Sequence, residues 1–324
     1  MTTSTTTITD QITLVVLDVR IWSGRKKLSA EDLNLSPGET PPEELITLGS
    51  KRICDPELLK PFFRLKQNAE RICLGVGTRF LSGFAVPNNE ADAVASELYR
   101  LKAEYDQASD VFLKNYDSAL AQWIESLPAW EAPIRRAIEP AESVANRLKF
   151  GFQLIQINPS DNAGTLHEEV AGLGDSLFGE IELMARDLEG SFAGRQKLHR
   201  KSLATFARIR EKLACLSFLD IRIAPIVKTL DDWTRRLPES GAIEGPIFNE
   251  GMGLALLLSD SSLMSLHGAG QLSLMDATTE AIATANFPPS VDNFGKDADA
   301  DADMDPIIPS KRPFVKPENT SFYF

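Results

Sequence analysis

Ten apolar side chains, Val94, Leu98, Leu101, Tyr105, Ala108, Phe112, Tyr116, Leu120, Trp123 and Leu127, follow one another at steps of three and four residues. At about 100° per residue they fall within an arc of roughly 120°, the apolar face of one long amphipathic helix. Such a stripe is stable only when it is buried against other elements, so the rest of the chain has to supply partners. A second stripe, Leu166, Val170, Leu173, Leu177, Ile181, Met184, Leu188 and Phe192, predicts another helix, spanning roughly 40 Å at ~1.5 Å per residue. Gly172, Gly174, Gly179 and Gly190 lie within it, and each costs about 1 kcal/mol relative to alanine. That helix therefore depends on packing. The pattern resumes through Leu203, Phe206, Ile209, Leu213, Leu216 and Ile223. Pro225 begins a segment to about Leu237, and Gly251 to His267 reads as a last short helix. The expected fold is mainly α, with residues 88–277 an elongated bundle of long amphipathic helices.

The N-terminal part differs. Residues 1–11 read as a flexible terminus and residues 12–87 as a small α+β portion. Ile12 to Trp22 is rich in β-branched residues and predicts a buried strand that ends at Gly24. Asn34 to Glu44 has the proline and glycine content of a loop. Asp55-Pro56 starts a helix to about Cys73, with Pro61 in its early turns. Gly75 to Pro87 suits a hairpin or an irregular packed loop, and Asn89 with Asp92 resembles a capping pair. After Pro128 and Pro133 a further helix is expected from Ile134, kinked at Pro140, with a turn at Asn158 to Asn162. Residues 278–324 hold prolines and an alternating Asp-Ala run, and read as a disordered acidic tail.

A net charge of −12 argues against a protein that coats nucleic acid. Cys54, Cys73 and Cys215 are odd in number and widely spaced, as in a reducing compartment. Met1 to Asp10 lacks the basic and apolar regions of a signal peptide. No apolar stretch approaches the roughly 20 residues of a membrane span. The expectation is a cytoplasmic protein without membrane contact.

Gly174-Asp175-Ser176-Leu177 spells the nucleophile box of a hydrolase superfamily, but Leu177 belongs to the helical stripe and no Asp-x-x-His follows. Gly75-Val76-Gly77 starts like a phosphate loop, yet Phe80 stands where a third glycine belongs. His167, His199 and His267 are too scattered for a zinc site. Asp297, Asp299, Asp301, Asp303 and Asp305 alternate like calcium ligands, without the central glycine or the closing glutamate. No catalytic residue, metal site or cofactor is expected. Two binding features remain. Lys197, Arg200, Lys201, Arg208 and Lys212 share one arc of a helical wheel and form a candidate face for an anion or a partner, with Arg195 and Arg210 outside it. Phe322-Tyr323-Phe324, behind the acidic run, forms a candidate docking tip.

Several stretches resemble an uncharacterised bacterial family, domain of unknown function 3150. They are Ile21 to Leu28 (IWSGRKKL), Glu31-Asp32-Leu33, Leu48 to Lys51 (LGSK), Gly77 to Pro87 (GTRFLSGFAVP) and the Tyr116-Asp117 to Trp123 segment. The resemblance covers roughly residues 10 to 280. It implies a setting on mobile elements or in phage-like regions, near MoxR-type AAA+ ATPases and von Willebrand factor A proteins. It implies no catalytic residues. The preferred expectation is a non-enzymatic scaffold or adaptor with a protein partner, such as one of those ATPases or von Willebrand factor A proteins, and with self-association through the helical stripes open to it. The alternative is a DNA-associated accessory factor using the basic helix face. An enzyme ranks third, with Gly75 to Pro87 the place to look.

Overall fold

The computed structural model describes residues 8–33, 48–160 and 164–272. All of them belong to one compact unit, Met1–Ile282. Strand β1 (Ile12–Arg20) lies at its centre, and its first four residues are buried. Ile12 and Leu14 enter one apolar cluster and Val15 enters another. A strand with both faces covered reads as a continuous apolar run, which is why ITLVV lacks polar alternation.

After β1, Trp22 turns inward. Arg25–Lys27 (β2) and Ser50–Arg52 (β3) form a short antiparallel ribbon, which the residue pattern did not signal. Asp55 accepts from the Glu57 amide at 2.9 Å and caps a 3-10 turn, Pro56–Leu59. Helix α1 (Lys60–Val76) follows, with Phe62, Leu65, Ala69 and Cys73 as its buried stripe. Pro61 falls in its first turn, where a missing N–H costs nothing.

The Gly75 to Pro87 segment resolves into the end of α1 and a hairpin, β4 (Thr78–Phe80) and β5 (Gly83–Pro87). Leu81 and Ser82 both have positive φ, as a two-residue type I′ turn demands. The glycines have steric reasons. A Cβ on Gly77 would lie 2.5 Å from the Ala85 carbonyl oxygen, and one on Gly83 would lie 2.6 Å from that of Val15.

The first long stripe forms two helices, α2 (Asn88–Lys114) and α3 (Tyr116–Glu125), parted at Asn115. Phe112 and Tyr116 flank the break, and both pack on Trp22. The apolar periodicity therefore runs through it unbroken. The expected Asn89–Asp92 cap is absent, since no side chain caps α2. Asn88 instead accepts from the Thr13 hydroxyl at 2.8 Å and donates to the Asp10 carbonyl at 2.7 Å, tying α2 to β1.

The kinked helix expected after Ile134 is two one-turn helices, α4 (Glu131–Arg135) and α5 (Ala141–Ala145), with Pro140 at the N-cap of the second. They lead into a strand that helical periodicity missed. Strand β6 (Lys149–Gln156) pairs antiparallel with β1 over eight residues, from Thr13↔Gln156 to Arg20↔Lys149. The sheet order is β4-β5-β1-β6, so the sheet recruits a strand from beyond residue 87.

The second stripe breaks at Gly172 into α6 (Leu166–Ala171) and α7 (Leu173–Phe192). A two-residue strand β7 (Lys197–Leu198) precedes α8 (Leu203–Cys215) and α9 (Ile223–Arg235). Ile243–Glu244 (β8) pairs with β7, and α10 (Pro246–Leu258) and α11 (Ser261–Gly268) follow. Leu177, Phe178, Ile181 and Leu188 of α7 share a core with Phe206, Ile209, Leu230, Trp233 and Leu254. The other core joins α1, α2 and α3 around Trp22, Phe62, Leu101 and Tyr105. The fold is mainly α, with the sheet feeding both cores. Within residues 88–277 the described helices of 20 residues or more are α2, with 27, and α7, with 20; the others there have 13 residues or fewer. No described helix is long and apolar enough to cross a membrane.

Candidate functional site

The five cations placed on one helical wheel do not share a helix. Lys197 lies in β7 and pairs with Glu244 of β8 at 2.8 Å. Arg200 lies in a 3-10 turn, and its guanidinium donates to the carbonyls of Gly241, at 3.0 Å, and Pro238. Lys212 is 2% exposed. Its ammonium donates at 2.7 Å both to the Leu74 carbonyl and to Glu180. The wheel failed because the chain becomes helical only at Leu203. The angular phase assigned upstream of that residue has no meaning. Lys212 instead shares the inward face of α8 with Phe206, Ile209 and Leu213.

Its partner Glu180 is a junction between elements. One carboxylate oxygen accepts from the Thr78 hydroxyl at 3.1 Å and from the Arg79 amide at 2.9 Å; the other accepts from Lys212. Helix α7, helix α8, the end of α1 and the hairpin are thereby joined by one buried charge pair.

Lys201 and Arg208 stay exposed, and Arg195, which the wheel excluded, joins them. The three line a concavity of about 570 Å³ together with His199 and Thr205, backed by Met184 and Leu188 of α7. Among the described residues that line it, none is a carboxylate. Arg195 comes into reach because Gly194, at φ +67°, reverses the chain after α7. Only that glycine hinted at the turn in the sequence.

Two buried carboxylates gather the residues of the family-like stretches. Asp32 is 2% exposed. It accepts from Lys51 at 2.5 Å, from Arg136 at 3.1 Å and from the Ser29 amide at 2.9 Å. Burial would raise its pKa, but the bonds from Lys51, Ser29 and Arg136 outweigh it and hold the carboxyl well below the usual range. Glu139 accepts from the Trp22 indole at 2.8 Å and Lys26 at 2.5 Å, and pairs with Arg147 at 2.9 Å. Its carbonyl accepts from the Tyr116 hydroxyl at 2.9 Å. There too burial, which raises the pKa, is outweighed by Lys26, Trp22 and Arg147, and the pKa is lowered. Both carboxylates are thus spent in holding β2, β3 and the α4–α5 connection together. Neither is poised as a general acid or base, which would need a pKa near neutrality.

Ser176 lies inside α7, its amide bonded to the Gly172 carbonyl at 3.0 Å. The small hollow beside it is lined by Arg79, Phe80, Glu168 and Glu169, with no histidine among its residues. A nucleophile elbow needs a strand-to-helix turn, and Ser176 is on none. Burial pushes the Cys54 thiol up to about 11, with Asp55 adding to it, and the Cys73 thiol up to about 12. Among the described residues no group of three His, Cys, Asp or Glu side chains is placed to hold a metal. The aromatic tip Phe322-Tyr323-Phe324, the aspartate run and the tail from residue 278 lie outside the described residues, as does the Asn34 to Glu44 loop.

These features define a helical protein wrapped on a four-stranded antiparallel sheet, with polar networks that serve the fold and an open basic concavity beside α7. The chain belongs to the family described as protein of unknown function (DUF3150), whose model matches residues 9–260. No match was found among curated proteins or among solved structures.

Proposed function

We propose that this protein is a non-enzymatic scaffold or adaptor whose outer sheet edge receives an extended segment of a protein partner. The observation that carries this is β6. Among the described residues it pairs with β1 alone, and its last four residues, Gln153 to Gln156, are exposed. Leu154 and Ile155 are 39% and 40% exposed. Soluble proteins blunt such edges with lysines, prolines, bulges or a covering element. After Lys149 this strand carries neither charge nor proline. Beside it Tyr99, 64% exposed, packs edge-on against Phe152 at 4.8 Å. A partner strand laid along β6 would satisfy its outer backbone groups, and alternate side chains would cover Tyr99 and Leu154. The partner is a cytoplasmic protein of the same mobile-element or phage-related system, with a MoxR-type AAA+ ATPase or a von Willebrand factor A protein the leading candidates.

The experiment places a photo-crosslinking amino acid at Gln153 in the full chain, in its native host. A crosslink to such an ATPase or von Willebrand factor A protein is expected, and the Leu154→Lys/Ile155→Lys pair should abolish it without changing the circular dichroism spectrum. Crosslinks only between copies of this chain, or none at all, refute the reading. The DNA-associated alternative is weaker, because Lys197, Arg200 and Lys212 are engaged internally and the net charge of −12 opposes a polyanion.

A further inference from the structure

We propose that the concavity between α7 and the start of α8 binds a small molecule carrying two or more phosphoryl groups. The first argument is charge. Acidic residues outnumber basic ones, 46 to 34, and the neighbouring cations Lys197, Arg210, Lys212 and Arg236 each have a carboxylate partner. Arg195, Lys201 and Arg208 form no ion pair among the described residues, yet they line the same concavity, whose described lining holds no carboxylate. Three like charges turned toward one space repel one another, and an anion placed there relieves that repulsion.

The second argument is chemical fit. Two guanidinium forks match the oxygens of a phosphoryl group in paired hydrogen bonds, and the Lys201 ammonium adds a point charge. The Thr205 hydroxyl is a neutral donor on the same wall. Three cations balance more charge than one phosphate monoester carries, which is why the ligand has at least two phosphoryl groups. The Met184 and Leu188 side gives the ligand an apolar surface to lie against.

The third argument is size. A volume of about 570 Å³ falls in the roughly 300–1,000 Å³ range of small-molecule sites. A duplex would instead need a basic surface extending along its backbone. Lys197 and Arg200, which would have supplied one, are taken up by Glu244 and by backbone carbonyls.

The test is titration calorimetry on the full chain with pyrophosphate, adenosine diphosphate, inorganic phosphate and a short DNA duplex. Pyrophosphate and adenosine diphosphate should bind saturably at one site, and inorganic phosphate more weakly. Arg195→Ala and Arg208→Ala should each weaken pyrophosphate binding by about tenfold, the scale of one charge-assisted bond. Arg208→Lys, which keeps the charge and loses the fork, should fall between. Lys197→Ala should bind as the wild type does, and Met184→Ala should weaken the nucleotide but not pyrophosphate. Circular dichroism on each variant separates a lost site from a lost fold. No saturable binding of pyrophosphate at millimolar concentration would overturn the proposal. So would wild-type affinity in folded Arg195→Ala and Arg208→Ala. Duplex binding tighter than that of the nucleotide, with a log–log salt slope beyond the ~2.7 expected of three phosphates, would also overturn it, marking an extended nucleic-acid surface.

Discussion

Replacing Asp32 with asparagine removes one charge from the middle of a buried network and keeps its shape. The Asp32 side chain is 1% exposed, that of Lys51 15% and that of Arg136 51%. The new amide still accepts from the Ser29 amide, so the loss falls on the two cations. The bond from Lys51 is charge-assisted and mostly out of water, worth about 1.5–3 kcal/mol. The half-exposed Arg136 pair is screened by solvent and contributes under ~1 kcal/mol. The expected loss is therefore about 3 kcal/mol, near the lower end of what stripping one partner from a buried pair costs. Against a total of roughly 5–15 kcal/mol this is readily measured. The assay is urea unfolding followed by circular dichroism at fixed m-value. The pH dependence adds a second check. Asp32 has a folded pKa below its unfolded value, so its stabilisation is present above the unfolded carboxylate pKa of ~3.9 and is lost as pH falls through the folded value. The gap between Asp32→Asn and wild type should be flat from about pH 7 to 5 and begin to close below about pH 4. A loss under ~1 kcal/mol at unchanged m-value, or a gap that stays flat down to about pH 3, would refute the assignment of Asp32 as the anchor of the β2–β3 ribbon.

The same methods test two other features. Lys212→Met should cost about 3 kcal/mol, because Glu180 keeps its burial and loses its cation; Lys201→Ala, on the exposed rim, should stay within ~0.5 kcal/mol. Equal small effects would mean that Lys212 faces solvent. Cys54 and Cys73, buried and with thiols pushed up to about 11 and about 12, should resist iodoacetamide at mildly alkaline pH until urea unfolds the chain. Rapid alkylation of either in the folded protein would contradict the core placement.

Where a feature depends on neighbours along the chain, it could be read from residue order. The stripes of α2 and α7 follow from 3.6-residue periodicity. The buried run of β1 follows from its β-branched residues, and the start of the Asp55 turn from capping chemistry. Ser176 as a helical residue was legible for the same reason, since Leu177 continues a stripe. The breaks at Asn115 and Gly172 were not, because the inward side chains keep their spacing across them. Of the candidate site, the helical wheel includes Lys201 and Arg208, leaves out Arg195 and misplaces Lys197, Arg200 and Lys212.

Local order by itself thus determined a mainly helical chain, the sites of its major apolar faces and its acidic balance. Tertiary structure alone decided which strand completes the sheet, because the pairing of β6 with β1 joins residues more than a hundred positions apart. It also decided which charges are spent. A lysine on a helical wheel looks alike whether it meets water or a buried carboxylate, and only the fold brings Glu180 to Lys212. The same fold leaves Arg195, Lys201 and Arg208 facing open space. Periodicity reports angle around a helix axis, whereas burial and charge pairing depend on what the rest of the chain puts opposite that angle.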